Sequence, residues 1–159
     1  MHNTHARPRI LVVEDDIPIQ QVLCFFLNQS GFDALGVSDG REAIRLIPDF
    51  APDLIILDLM LRPVSGWDVL HWLQTCPTPS RIPVLIVSAL VHLAEQLRGY
   101  EQGAIEYLTK PTQPSIIVER VRAILALNAE QRQLLQHKGV NERRKTLEAL
   151  RGGSDAGTL

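Results

Sequence analysis

The sequence predicts an α/β fold: a five-stranded parallel sheet, doubly wound by helices in the order (βα)5, with a helical extension behind it. Three observations predict it. The runs Ile10-Leu11-Val12-Val13, Leu54-Ile55-Ile56-Leu57 and Val84-Leu85-Ile86-Val87 are short, rich in β-branched residues and free of polar alternation, as in strands covered on both faces. Two runs of mixed polarity, Ala34-Leu35-Gly36-Val37 and Ile105-Glu106-Tyr107-Leu108, have the character of edge strands. Helical patterns fill the gaps, so strand and helix alternate and right-handed crossovers put helices on both faces.

Taken in order, the strand at 10–13 leads into a helix with Pro18 in its first turn. Val22, Leu23, Phe26 and Leu27 form that helix's apolar face, and Gly31 stops it. After the strand at 34–37, Asp39-Gly40-Arg41-Glu42 has capping-box spacing ahead of Ala43, Ile44 and Ile47. Helices are expected at 67–75 and 92–102, after the strands at 54–57 and 84–87. The last one is expected to run from 115 to 136. Gly139 is then placed to end the extension in a left-handed turn with Val140 packing back toward Leu135, and Asn141 to cap a short helix over 142–150. The division expected is a flexible N-terminus over 1–8, a domain over 9–127, a helical extension over 128–150 and a disordered tail over 151–159.

Composition narrows the function. The chain has 159 residues, 45% hydrophobic and 21% charged, enough for one globular domain that needs no metal or disulfide to fold. A net charge of −2 argues against nucleic-acid binding through bulk charge, although the last 32 residues are mildly basic, with six Lys/Arg against four Asp/Glu. No apolar run approaches the ~20 residues of a membrane span, and the N-terminus lacks the apolar stretch of a signal peptide. Cys24 and Cys76 lack metal-ligand spacing, so reduced, buried thiols in a cytoplasm are expected. The five histidines likewise have no ligand spacing.

The chemistry sits at the strand ends. In an open parallel sheet, sites form at the carboxyl ends of the strands. The first strand ends in Glu14-Asp15-Asp16, the third in Asp58 and the fourth in Ser88, while the fifth leads to Lys110-Pro111. Converging carboxylates repel one another unless a hard cation binds, and Mg²⁺ suits oxygen donors of this kind. A carboxylate beside a metal, a hydroxyl and an ammonium group is equipped to accept a phosphoryl group. Asp16 taken alone reads as a solvated cap.

Over residues 9–127 the sequence resembles the receiver domains of two-component response regulators. The likeness rests on Ile10 to Asp16, Leu57-Asp58-Leu59-Met60-Leu61, Ser65-Gly66, Val87-Ser88-Ala89, Gly103-Ala104 and Tyr107-Leu108-Thr109-Lys110-Pro111. It implies a flavodoxin-like fold of the chemotaxis-receiver type, with strand order 2-1-3-4-5. It implies Asp58 as phosphoacceptor, Asp15 and Asp58 as Mg²⁺ ligands, a Met60 backbone carbonyl as a further ligand, and Glu14 reaching the metal through water. Ser88 takes the switch hydroxyl position, Lys110 the phosphate-binding lysine, Tyr107 the switch aromatic, and Lys110-Pro111 a cis peptide. The sequence departs from the family pattern at Arg62, followed by Pro63, and at Thr112.

The reading that follows is a cytoplasmic signalling switch, not an enzyme in the ordinary sense. A sensor histidine kinase or phosphotransfer protein phosphorylates Asp58, and the surface of the fourth helix, fifth strand and fifth helix changes in response. Two alternatives stand beside it: the receiver part of a longer DNA-binding regulator, and a haloacid-dehalogenase-type phosphatase, for which Met60 stands where an acid/base aspartate is needed. Met60 and Leu90, both apolar, are expected to gate water from the phosphorylated site and prolong its lifetime. Leu90, Val91, Leu93 and Leu97 with Ile116-Ile117-Val118 suggest a homodimer through the fourth and fifth helices, with Arg98, Glu101, Glu119 and Arg120 available for cross-subunit pairs. No direct nucleic-acid or membrane binding by this chain is expected.

Overall fold

The computed structural model describes residues 6–76 and 81–153. The strands are β1 (Arg9–Val13), β2 (Asp33–Val37), β3 (Leu54–Leu57), β4 (Val84–Ser88) and β5 (Glu106–Thr109). They form one sheet in the order β2-β1-β3-β4-β5, and every pairing is parallel. Between and after them run α1 (Ile17–Gln29), α2 (Gly40–Phe50), α3 (Gly66–Thr75), α4 (Leu93–Glu101), α5 (Pro114–Leu125) and α6 (Ala129–Gly152).

The unbroken apolar strands divide their side chains between two cores, as the two-residue period of a strand requires. Leu11, Val13, Ile55, Leu57 and Ile86 join Ala43, Ile47, Val69, Leu70 and Tyr100 on the α2–α3–α4 face. Ile10, Val12, Leu54, Ile56 and Leu85 join Leu23, Leu27, Ile117 and Val121 on the α1–α5 face. Helices open where the sequence offers caps. Asp16 caps α1 by accepting from the Ile19 N–H, Asp39 caps α2 through Glu42, and Ser65 with Asp68 forms a reciprocal capping box on α3. Asp16 is thus a cap, as its isolated reading suggested. Gly31, at φ 95°, follows the end of α1.

The extension differs from expectation. No single helix spans 115–136: α5 ends at Leu125, and Asn128 starts α6 with a capping box to Gln131. Gly139 and Asn141 neither end nor begin a helix, because α6 continues unbroken to Gly152. Gly139 is buried against the ring of Tyr100, where a Cβ would lie 2.7 Å from Cζ and closer still to Cε1 and Cδ1. Arg151 and Gly152, expected in the disordered tail, are helical; the rest of that tail beyond Gly153 lies outside the described residues, as do residues 1–5 of the expected flexible N-terminus. The Pro8 carbonyl accepts the Asp33 N–H at 2.9 Å, which ties the approach to β1 into the sheet.

Candidate functional site

Because β1 and β3 are neighbours, their C-terminal residues converge. The Asp58 N–H donates to the Val13 carbonyl at 3.0 Å, which sets Asp58 beside the turn that carries Glu14 and Asp15. Glu14, Asp15 and Asp58 each present a carboxylate oxygen within 4.8 Å of the others. Glu14 and Asp58 are each only 5% exposed, whereas Asp15 opens to solvent. Gln20 on α1 fixes this turn by donating to the Glu14 and Val37 carbonyls, both at 2.9 Å.

Lys110 arrives from the end of β5. Its backbone N–H donates to the Ser88 carbonyl at 2.8 Å, and its ammonium reaches Glu14 Oε2 at 2.7 Å and Asp58 Oδ2 at 3.0 Å. The other Asp58 oxygen, Oδ1, accepts the Met60 N–H at 3.1 Å. The Lys110–Pro111 peptide is cis, as the resemblance implied, and so is Arg62–Pro63. Gly66 closes the loop after Asp58: a Cβ there would strike the Asp58 carbonyl and lie 2.6 Å from Leu59 Cα.

The electrostatics follow from burial. Burial pushes the Glu14 carboxyl above the ordinary carboxylate range; the hydrogen bond from Lys110 opposes this and the charge of Asp58 adds to it. For Lys110, burial works to lower the ammonium's pKa, but the hydrogen bonds and charges of Glu14 and Asp58 outweigh it and leave it raised. Lys110 is therefore a protonated ammonium at neutral pH.

The donor set suits a hard divalent ion: three carboxylates within reach of one another, oxygen donors only, and an open side at Asp15 that leaves room for water ligands. The ammonium already lying between Glu14 and Asp58 marks a place where positive charge is needed.

The remaining predicted residues form a second tier. Ser88 is fully buried at the end of β4, and its hydroxyl accepts the Leu90 N–H at 3.3 Å. Tyr107 is buried, and its hydroxyl donates to the Leu90 carbonyl at 2.6 Å. Burial pushes the Tyr107 phenol up to about 12, although the Ser88 hydroxyl, within hydrogen-bonding reach, pulls it back. The phenol therefore remains a donor at any physiological pH. The Met60 side chain is exposed, and the Leu90 side chain packs against the α2–α3–α4 core.

One feature of the site escaped the sequence reading. Helix α1 is apolar on a second face: Ile17, Ile19, Val22, Phe25 and Phe26 are all exposed. Val22 and Phe26 were expected to face the core with Leu23 and Leu27. Instead both are exposed, and Val22 with Ile19 lines a groove of about 640 Å³ between α1 and α5 that also has Asp58, Glu14 and Lys110 in its lining.

The α4 part of the surface expected to mediate a dimer lies against α6. Ile117 and Val118 are buried in the α1–α5 core. Glu101 pairs with Arg144 of α6 at 3.1 Å, Arg120 pairs with Glu106 at 3.1 Å, and the Arg98 guanidinium stacks 3.9 Å over the Trp67 ring. Groups expected to reach a second copy are thus engaged within the chain. Cys24 and Cys76 are free thiols and half-buried rather than buried; burial pushes the Cys24 thiol up. Among the described residues, no helix is long and apolar enough to cross a membrane.

Residues 10–122 match the family model described as the response regulator receiver domain. The DNA-binding response regulator MtrA of Mycolicibacterium paratuberculosis is 37% identical over 125 residues, covering 79% of this chain and 54% of that protein. The chain thus spans about half the length of the curated relative it matches. Among solved structures, the signal receiver domain of a LuxO repressor protein from Vibrio parahaemolyticus superposes with a TM-score of 0.71 at 31% identity, over 81% of this chain and 95% of that one. The BeF3-activated N-terminal receiver domain of RstA from Klebsiella pneumoniae gives 0.68 at 26% identity, over 75% and 99%.

Proposed function

The chain belongs to the response regulator receiver family, and from that premise and the site geometry we propose that it is a switch that accepts a phosphoryl group on Asp58. The observation that carries this reading is the Lys110 ammonium, 2.7 Å from Glu14 and 3.0 Å from Asp58, inside a carboxylate cluster at adjoining strand ends.

In the transfer, an Asp58 carboxylate oxygen forms a bond to phosphorus while the phosphorus–nitrogen bond of a phosphohistidine donor breaks, and the imidazole keeps the electron pair. Lys110 pairs with the charge on the transferring oxygens. The Met60 N–H, bonded to Asp58 Oδ1, fixes the carboxylate's orientation. Glu14, Asp15 and Asp58, with the Met60 backbone carbonyl, are the residues that would hold Mg²⁺, Glu14 through water; a bound ion supplies charge neutralisation for the phosphoryl group. Ser88 is the hydroxyl that answers phosphorylation, and Tyr107, bonded to the Leu90 carbonyl beside it, follows.

The donor is a sensor histidine kinase or a phosphotransfer protein of a cytoplasmic two-component pathway. The exposed apolar face of α1 and the groove beside Asp58 support a helical donor seated there, which brings its phosphohistidine to the carboxylate. A second reading is favoured by the likeness to a DNA-binding regulator about twice as long: these residues are then the receiver part of such a protein. In either case this chain by itself is expected to bind no DNA, and a fluorescence anisotropy titration with duplex DNA checks that.

The test of the main reading is mass spectrometry after incubation with acetyl phosphate and Mg²⁺. Wild type is expected to gain one phosphate and Asp58→Asn none. Equal labelling of the two overturns the assignment.

A further inference from the structure

Helix α6 does not trail from the domain; it lies against α4 and the edge strand β5. One buried residue gathers its contacts. The Tyr100 ring receives the backbone of Gly139 and carries the Arg143 guanidinium 4.8 Å from its centre, and the Tyr100 carbonyl accepts from Gln136 Nε2 at 2.8 Å. Around it, Arg144 pairs with Glu101 at 3.1 Å, Arg143 Nε donates to Gln96 at 3.3 Å, and Leu135 and Val140 pack against the two cores.

Tyr100 also faces the other way. Its hydroxyl accepts the backbone N–H of Tyr107 at 3.0 Å, and the Tyr107 hydroxyl in turn reaches the Leu90 carbonyl beside Ser88. A continuous line of contacts therefore runs from α6 through Tyr100 and Tyr107 to the end of β4. In this arrangement Tyr107 is 4% exposed, so the docked helix and the inward tyrosine occur together.

We propose that α6 is the chain's own ligand for the α4–β5 face, and that its docking and the filling of the acidic site reinforce each other through Tyr100 and Tyr107. The proposal rests on the phosphoacceptor reading of Asp58. Two features make the docking adjustable. The polar contacts are partly exposed ion pairs and hydrogen bonds, which are individually weak. The apolar residues Leu134 and Leu150 remain 63% and 62% exposed, so only part of the helix is anchored by burial. Coupling between two sites is reciprocal: if docked α6 holds Tyr107 inward and the inward state favours a phosphoryl group at Asp58, phosphorylation tightens α6 to the same degree.

The test uses the full chain and Gly139→Leu, which keeps helix propensity but places a side chain into the Tyr100 ring, with Arg143→Ala as a milder second variant. Amide hydrogen exchange reads α6 and the Tyr107 N–H, and calorimetry reads the affinity for beryllofluoride in the presence of Mg²⁺. Gly139→Leu is expected to lose protection in α6 and at Tyr107, to keep it in β1, β3 and β4, and to bind beryllofluoride about fivefold more weakly. Arg143→Ala is expected to move both readouts in the same direction by less. Wild-type binding with an unchanged or tighter affinity in a Gly139→Leu protein whose α6 is released overturns the coupling alone. An α6 still protected in Gly139→Leu overturns the role given to the Gly139–Tyr100 contact. Wild type that takes up no beryllofluoride overturns the phosphoacceptor reading itself, and with it the coupling.

Discussion

Replacing Lys110 by methionine isolates what the ammonium does, because methionine keeps much of the stem and removes only the charge. Glu14 and Asp58, each 5% exposed, then share one end of the sheet without the cation now 2.7 and 3.0 Å from them. Removing one partner of a buried ion pair costs about 3–5 kcal/mol, and because the Lys110 side chain is 22% exposed and Asp15 admits water, about 3 kcal/mol is expected here. For a chain of this size that is a fall in Tm of about 6–12 °C. The pH dependence follows from the shifts. Burial already raises the Glu14 carboxyl above 4.5, and losing Lys110 raises it further. A carboxyl raised on folding costs stability as pH climbs from 4.5 through its folded value, so the deficit of the variant shrinks on acidification toward 4.5. Lys110 itself is raised above 10.5, so its contribution in wild type is complete below 10.5 and fades as pH rises through the folded value. The difference between the two proteins is thus a plateau around neutrality that closes at both ends. Thermal melts followed by circular dichroism across pH, in chelator and in Mg²⁺, measure it, and Mg²⁺ is expected to recover part of the loss. A variant as stable as wild type at neutral pH in chelator, or one whose deficit grows on acidification, refutes the reasoning.

The double variant Met60→Asn with Leu90→Glu is expected to lose phosphate faster than wild type once the donor is removed; equal decay means that these apolar side chains do not control the lifetime. Ser65→Ala removes the hydroxyl that accepts the Asp68 N–H and donates to the Asp68 carboxylate, keeps the bond from the residue-65 N–H to that carboxylate, and is expected to cost about 1 kcal/mol, a fall in Tm of about 2–4 °C by calorimetry.

The parts of the fold legible in the sequence are those where one physical demand leaves one pattern. Leu54 to Leu57 is buried at every position because β3 lies between β1 and β4 with helices on both sides, and only an unbroken apolar run meets that. The carboxylates were legible as a site because a parallel sheet gathers its strand ends, and Glu14, Asp15 and Asp58 fall there for that reason alone. Helix α1 shows the opposite case. Ile19, Val22 and Phe26 make one helical stripe and Leu23 and Leu27 another, and periodicity does not say which stripe meets the sheet. The structure buries Leu23 and Leu27 and leaves the other stripe outside, with Ile19 and Val22 lining the groove that reaches Asp58. The break between α5 and α6 was missed for a related reason: Asn128 caps α6 as effectively as Asp16 caps α1, but no Gly or Pro announces the stop before it.

Gly139 sits inside α6, not at its end. A glycine after a helical pattern has two physical meanings, a left-handed stop or a place where another group comes close to the backbone. The deciding partner is Tyr100, far away in sequence, and no local pattern points to it. Either meaning predicts that Gly139→Ala destabilises, the opposite of what an ordinary helical position gives. In an exposed helix interior the change stabilises by about 1 kcal/mol through propensity alone. Here the new methyl meets a ring that cannot swing aside cheaply, because Tyr100 is buried and its hydroxyl holds the Tyr107 N–H at 3.0 Å. The ring or the helix must give, so Gly139→Ala is expected to lower Tm despite alanine's better helix propensity. Combining Gly139→Ala with Tyr100→Leu tests whether the ring is the cause. With the ring gone the propensity gain returns, and alanine is then expected to stabilise relative to glycine. If Gly139→Ala raises Tm with Tyr100 in place, the close approach of α6 to Tyr100 is not what the glycine serves.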